Sequence, residues 1–357
     1  MNKRTFLKTS AALSLGALAP IRAFSLSFPG KKDYPEYWVW RGVDKDSTTE
    51  EIRAQFKELK SQGIDGILIG GDDERNFFLA SEAGLEPHLW MWTMNRRDEY
   101  IMENHPDWYA VNRLGESCFD KPQYVDYYRW LCPSKKGVQD FLLDEVKEKA
   151  NKPYIKGIHL DYVRYCDVIL PSALWEKYDI VQNEELPPYD YCYCDTCRTK
   201  FKQRSKYDPL EIEDPSQDKL WLQYRYDSIT SIVNKLAQAV HAADKPISAA
   251  VFPTPTIARK LVRQDWDKWN LDMVFPMLYH GFYEEDIAWI GESLEENINA
   301  VGHRMNVYSG LYLPDLPEPR NLAEATQLSE EKKASGVSLF GGVSEEHWGA
   351  FQRVIRD

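Results

Sequence analysis

Apolar residues gather along the chain in eight short runs of five to seven residues, each bounded by glycine, proline or aspartate. Between them lie longer stretches in which apolar and charged positions recur at helical spacing. The runs cover residues 37–43, 66–70, 87–93, 155–161, 246–252, 273–279, 305–311 and 337–341. They read as strands buried on both faces. Helical patterns occupy 49–62, 136–150, 220–243, 286–297, 321–335 and 348–355. Strand and helix alternating through eight units predict an α/β fold, a closed (β/α)8 TIM barrel. An open doubly wound sheet is the alternative, but it rarely needs eight units. A chain of 357 residues suits one such barrel with an insertion. Residues 24–357 therefore read as a single catalytic domain. Two connections are long: 95–135 after the third strand, and an insertion at about 162–219 after the fourth. Both leave carboxyl ends of strands, where barrel enzymes keep their sites, and long loops in compact domains are usually functional or separately stabilised.

Charge and composition narrow the partners. The formal net charge is -12, which disfavours a nucleic-acid backbone. Aromatic residues make up 13% of the chain, including 12 Trp and 21 Tyr. That many rings serve core packing, and they also suit stacking on the apolar face of a pyranose. The first residues read as an export signal over 1–23: a basic Lys3-Arg4-Thr5-Phe6-Leu7-Lys8 string, then a short apolar run from Ala11 to Ala19. The string resembles a twin-arginine signal with Lys in place of the first Arg, so the ordinary secretory route stays open. No later segment is apolar enough to span a membrane. The expected mature protein is soluble and periplasmic or extracellular.

The fourth run carries the clearest chemistry. In Gly157-Ile158-His159-Leu160-Asp161-Tyr162-Val163-Arg164-Tyr165, strand alternation puts His159 and Asp161 on one face. Asp161 then stands at the barrel mouth with Tyr162 and Arg164 just beyond it. A carboxylate so placed suits glycosyl transfer, whose oxocarbenium-like transition state needs a nearby negative charge and an acid on the leaving oxygen. Arg164 is expected to hold Asp161 ionised through a charge-assisted pair. A purely structural Asp–Arg pair at a strand end is the alternative.

This string resembles the fourth-strand signature of the glycosyl hydrolase-like family called family 10-like. His105-Pro106-Asp107-Trp108-Tyr109-Ala110 with Gly115-Glu116, and Asp272-Met273-Val274-Phe275-Pro276-Met277-Leu278-Tyr279, resemble that family's loop after strand 3 and its strand 6. The resemblance implies a (β/α)8 barrel and polysaccharide hydrolysis.

Two-acid hydrolysis needs a second carboxyl group about 5–5.5 Å or about 6.5–9.5 Å from the first. Asp44, Asp72, Asp73, Glu74, Asp265, Glu345 and Glu346 all follow strands. Asp265, beside Trp266, is the favoured partner. Barrels of the largest retaining clan carry a Glu after strands 4 and 7, and this chain has none near Leu311. Trp40 and Trp92, nearest the strand ends, are the candidate sugar platform, each with core packing as its other use. Tyr279 and His280, at the end of strand 6, join His159, Tyr162 and Arg164 as candidate substrate-binding residues.

Six cysteines remain. Cys192, Cys194 and Cys197 fall within six residues, a spacing that converges thiolates on one tetrahedral ion and would strain local disulfides. Cys132 is the best fourth ligand for a structural zinc. An exported chain with an even cysteine count keeps disulfides open. The arrangement resembles the zinc cluster of the family 42 β-galactosidases, in which a Cys-Pro string before strand 4 joins a Cys-x-Cys-x-x-Cys-x-x-x-Phe string after it. Cys118 and Cys166 are left over as a candidate pair. No catalytic cofactor is expected. The reading is a glycoside hydrolase acting on an oligo- or polysaccharide. A glycan-binding barrel without turnover is the rival, and a sugar deacetylase or lyase a third option.

Overall fold

The computed structural model describes residues 35–356. The proposed export signal at 1–23 lies outside them. Eight parallel strands close in sequence order: β1 (Glu36–Arg41), β2 (Gly66–Gly70), β3 (Glu86–Trp92), β4 (Gly157–Asp161), β5 (Ile247–Val251), β6 (Met273–Pro276), β7 (Asn306–Tyr312) and β8 (Gly336–Phe340). The barrel shuts where Glu36 of β1 pairs with Gly336 of β8. Ten α-helices accompany the strands among the described residues: α1 (Thr49–Ser61), α2 (Glu74–Glu82), α3 (Glu99–Asn104), α4 (Lys136–Ala150), α5 (Asp195–Ser205), α6 (Lys219–His241), α7 (Pro255–Val262), α8 (Ala288–Val301), α9 (Pro319–Glu331) and α10 (Glu345–Arg356). No helix among the described residues is long and apolar enough to cross a membrane.

The local chemistry explains the element boundaries. Thr48 and Glu51 form a reciprocal capping box at the start of α1. Thr254 caps α7, and Pro255 takes the first turn, where its missing N–H costs nothing. β6 ends at Pro276, three residues before the expected end. Proline offers no N–H to the ladder, so beyond it only Met277 and Leu278 bond, to Val251 and Gly310. The two long connections hold regular pieces of their own, α3 in the first and α5 in the second. The short α2 and α7 fill gaps that the pattern left unassigned.

Side chains on the outward strand faces pack under the helices. Those on the inward faces fill the barrel with Trp38, Trp40, Leu68, Ala250, Met273, Phe275 and Tyr308. The rings of Phe275 and Tyr308 stack at 4.8 Å, and the Tyr308 hydroxyl donates to Glu36 at 2.7 Å near the amino end. Gly66 has no side chain because Trp38 occupies its space: a Cβ there would lie 2.3 Å from the indole. The interior is thus filled through its lower layers, and open space lies above them.

Candidate active site

That space is a cavity of about 300 Å³ at the carboxyl ends of the strands. Trp40 of β1, Trp90 and Trp92 of β3 and Phe340 of β8 form part of its wall, with Tyr279 and Tyr312 just past β6 and within β7. The long connections after β3 and β4 supply Tyr128, Tyr162, Leu170 and Leu174. Trp92 stays 40% exposed at the rim, with Tyr162 at 4.6 Å and Tyr127 at 6.3 Å between ring centres. It is therefore open to stacking from solvent, whereas Trp40 is 6% exposed at the floor.

Asp161 closes β4 and projects into this cavity. Its Oδ2 accepts from the Trp90 indole N–H at 2.9 Å, and its Oδ1 from the Tyr162 backbone N–H at 2.6 Å. The second bond depends on backbone shape. Tyr162 sits at φ +50, a region bulky residues seldom adopt, and the sharp turn folds its amide back onto the preceding carboxylate. Burial raises Asp161 above the ordinary carboxylate range, against the lowering effects of Trp90, the Tyr162 amide and Arg164. A carboxyl group with raised pKa, hydrogen-bond donors on both oxygens and open space before it is equipped to give up a proton.

Arg164 does not pair with Asp161 as expected. Its guanidinium bonds Asp167 at 2.8 Å and is 4.6 Å from the Trp130 ring centre and 4.9 Å from that of Phe252. Asp167, three residues on, offers a buried partner in direct contact, and Arg164 acts on Asp161 only through its charge. His159 lies beneath the cavity. Trp40 Nε1 can only donate, so His159 Nε2 accepts at 3.0 Å, and its Nδ1–H donates to Ser248 Oγ at 2.8 Å. Burial lowers its pKa, in keeping with that neutral form. His159 therefore orients Trp40 and does not face a ligand.

Tyr279 lines the cavity, stacked at 6.1 Å on Phe340. His280 does not; it lies near Asp315, and burial lowers its pKa. Asp265 is not brought to Asp161. It follows α7, bonds Arg259 at 2.5 Å and is absent from the cavity wall. The other carboxylates weighed from sequence are also elsewhere. Asp72 is held by Lys149 and Lys152 at 2.8 and 2.7 Å and falls to about 2, chiefly through those bonds. Asp73 caps α2, and Glu345 and Glu346 start α10. Trp90 is the contact that sequence reading passed over. Its signal was present, two residues before Trp92 and so on the same face.

Cys132, Cys192, Cys194 and Cys197 are all buried, with their sulfurs within 4.8 Å of one another. Cys132 lies 3.6 Å from Cys194 and 3.4 Å from Cys197. These separations are far beyond a disulfide bond. They approach the roughly 3.8 Å edge of a tetrahedron with zinc–sulfur bonds of about 2.3 Å. The four thiols thus fit a structural zinc, and one such ion would join the connection after β3 to the start of α5. Cys118 and Cys166 are both free; the Cys118 thiol bonds the Trp130 backbone at 3.1 Å.

A family model described as glycosyl hydrolase-like 10 matches residues 71–326. No curated protein sequence matches the chain. Among solved structures, the PgaB (BpsB) glycoside hydrolase domain from Bordetella bronchiseptica superposes with a TM-score of 0.66 at 11% identity, over 90% of this chain and 99% of that one. The β-amylase catalytic domain from Paenibacillus polymyxa gives 0.59 at 13% identity, over 90% and 97%. The β-galactosidase from Bacillus circulans sp. alkalophilus gives 0.58 at 13% identity, over 90% of this chain and 55% of that one. At these identities the likeness is one of fold.

Proposed function

The chain belongs to the glycosyl hydrolase-like 10 family, and we propose that it is a glycoside hydrolase that cleaves an oligo- or polysaccharide with Asp161 as the proton donor. One observation carries this reading: a carboxyl group of raised pKa, held by Trp90 and the Tyr162 amide, faces an aromatic-walled cavity at the carboxyl end of a barrel. In this reading a sugar ring enters over Trp40, and the glycosidic oxygen comes to rest against Asp161. The chain beyond the cleaved bond stacks on Trp92 at the rim. Tyr162 positions Asp161 through its amide. Arg164, fixed by Asp167, holds the wall and contributes a positive charge. The cysteine cluster takes one structural zinc and no part in the reaction. The export signal read at 1–23 directs the enzyme to a glycan outside the cytoplasm.

The test is reducing-sugar release from a broad glycan panel, with Asp161→Asn beside the wild type. Loss of a catalytic acid should lower turnover by at least about 10²-fold. A second reading, a glycan-binding barrel without turnover, is favoured by one feature. Among the described residues, Asp167 is the other carboxyl group on the cavity wall, and it is committed to Arg164. Binding by both proteins with release by neither would establish that reading.

A further inference from the structure

We infer that the substrate supplies its own nucleophile: the cavity takes a glycan of 2-acetamido-2-deoxyhexose units, whose acetamido oxygen attacks C1 while Asp161 protonates the leaving oxygen. The inference rests on the hydrolase reading and deepens it. Hydrolysis by two carboxyl groups needs a second acid, as nucleophile or as base for water. Among the described residues, the cavity wall carries only Asp161 and Asp167. Asp167 cannot be spared. Its partner Arg164 is buried, and moving Asp167 away would strand a cation in a low-dielectric wall. Asp161, as acid, cannot be the nucleophile in the same step.

The other nucleophilic side chains near the cavity do not replace it. His159 lies below the floor with both ring nitrogens engaged. Asp315 and His280 do not line the wall. Tyr162, Tyr279 and Tyr283 do line it, but burial pushes each phenol away from ionisation. A neighbouring group on the sugar resolves the deficit. An acetamido carbonyl at C2 reaches C1 through an unstrained five-membered ring, and its methyl group suits the apolar wall of Ala250, Phe252 and Met277.

The step balances. The acetamido oxygen bonds C1, the C1–O bond breaks, and its electron pair leaves with the glycosidic oxygen, which takes the Asp161 proton. The resulting oxazolinium cation faces the new Asp161 carboxylate. Water then adds at C1 and gives its proton to Asp161, and the pair of the C1–acetamido bond returns to the amide. The linkage cleaved must be trans to the acetamido group, and the product keeps the anomeric configuration.

The experiment uses the full chain with 4-methylumbelliferyl glycosides and oligosaccharides of β-linked 2-acetamido-2-deoxyglucose and -galactose. Matched 2-hydroxy and 2-amino sugars run beside them. Calorimetry measures binding of the bicyclic thiazolines that mimic the oxazolinium. The expected result is turnover confined to the acetamido sugars, and thiazoline binding at least about 10²-fold tighter than the parent N-acetylhexosamine, as befits a mimic of a high-energy species. Comparable turnover of 2-hydroxy sugars would overturn the inference and leave the hydrolase reading intact. Turnover of no sugar in the set, with oligosaccharides bound and thiazolines no tighter than the parent sugars, would remove both.

Discussion

The acidity of Asp161 is a balance between burial, which raises it, and three neighbours that stabilise its charge. Trp90 is the neighbour most easily removed, because its indole N–H donates to Oδ2 alone. Trp90→Phe keeps a ring in the wall and deletes the donor. Hydrogen bonds to charged groups contribute about 1.5–3 kcal/mol, and about 1.4 kcal/mol equals one pKa unit. A general acid works only while protonated, so its activity falls as pH rises through its folded-state pKa. Losing Trp90 raises that pKa further and should move the alkaline limb of kcat/KM upward by about one to two units. An unmoved limb would mean that a different group sets it. Asp265 gives the converse case. Asp265→Asn breaks the contact with Arg259, so it should lower the thermal midpoint and leave turnover within a few-fold of wild type. Strand alternation made Asp161 legible in the sequence because its neighbours fix its face. Asp265 follows a short helix, where no periodicity says which way a side chain turns, and proximity to a tryptophan was no substitute.

At the scale of elements, the two long connections make one side of the cavity, and two devices hold them. One is the cysteine cluster, which was legible because ligand spacing is a local property of sequence. The protein should carry about one zinc per chain by elemental analysis. Chelation, or Cys132→Ser, should lower the thermal midpoint and raise KM more than it lowers kcat, because Tyr128 and Leu170 lose their footing while Asp161 keeps its strand. Metal-free protein with an unchanged midpoint and KM would exclude a structural ion. The other device was not legible. Arg225 of α6 is fully buried and bonds Asp190, two residues before Cys192, while the Tyr193 hydroxyl donates to the same carboxylate at 2.5 Å. The partners are 35 residues apart in sequence, and nothing in composition couples them. Asp190→Ala leaves a buried cation without its counter-charge and should destabilise the chain by about 3–5 kcal/mol in urea unfolding. Little change would mean that water or another group compensates Arg225.

For the whole molecule, the apolar runs revealed the number and order of the strands, because a strand covered on both faces must be apolar along its length. Eight alternating units also predicted closure, but not the seam itself, since β1 and β8 lie at opposite ends of the sequence and no local pattern relates them. Closure is a property of one seam, and Gly336 shows how narrow it is. This residue has φ +141, and a Cβ there would lie 1.7 Å from the carbonyl oxygen of Glu36, its partner across the seam. An alanine would meet backbone on one side and an unfavourable dihedral on the other, with no flexible side chain to give way. At Gly342, by contrast, a Cβ would meet nothing within 4 Å, so this glycine serves as the control. Gly336→Ala should cost more than about 4 kcal/mol, or prevent soluble folding, while Gly342→Ala should stay within about 0.5 kcal/mol. Because Trp40 stands on β1 and Phe340 on β8, with ring centres 6.1 Å apart in the cavity wall, opening the seam also opens the site. A Gly336→Ala protein that folds should therefore lose glycan binding as well as stability. Equal stability of the two variants would show that the seam yields, and that the site does not depend on its closure.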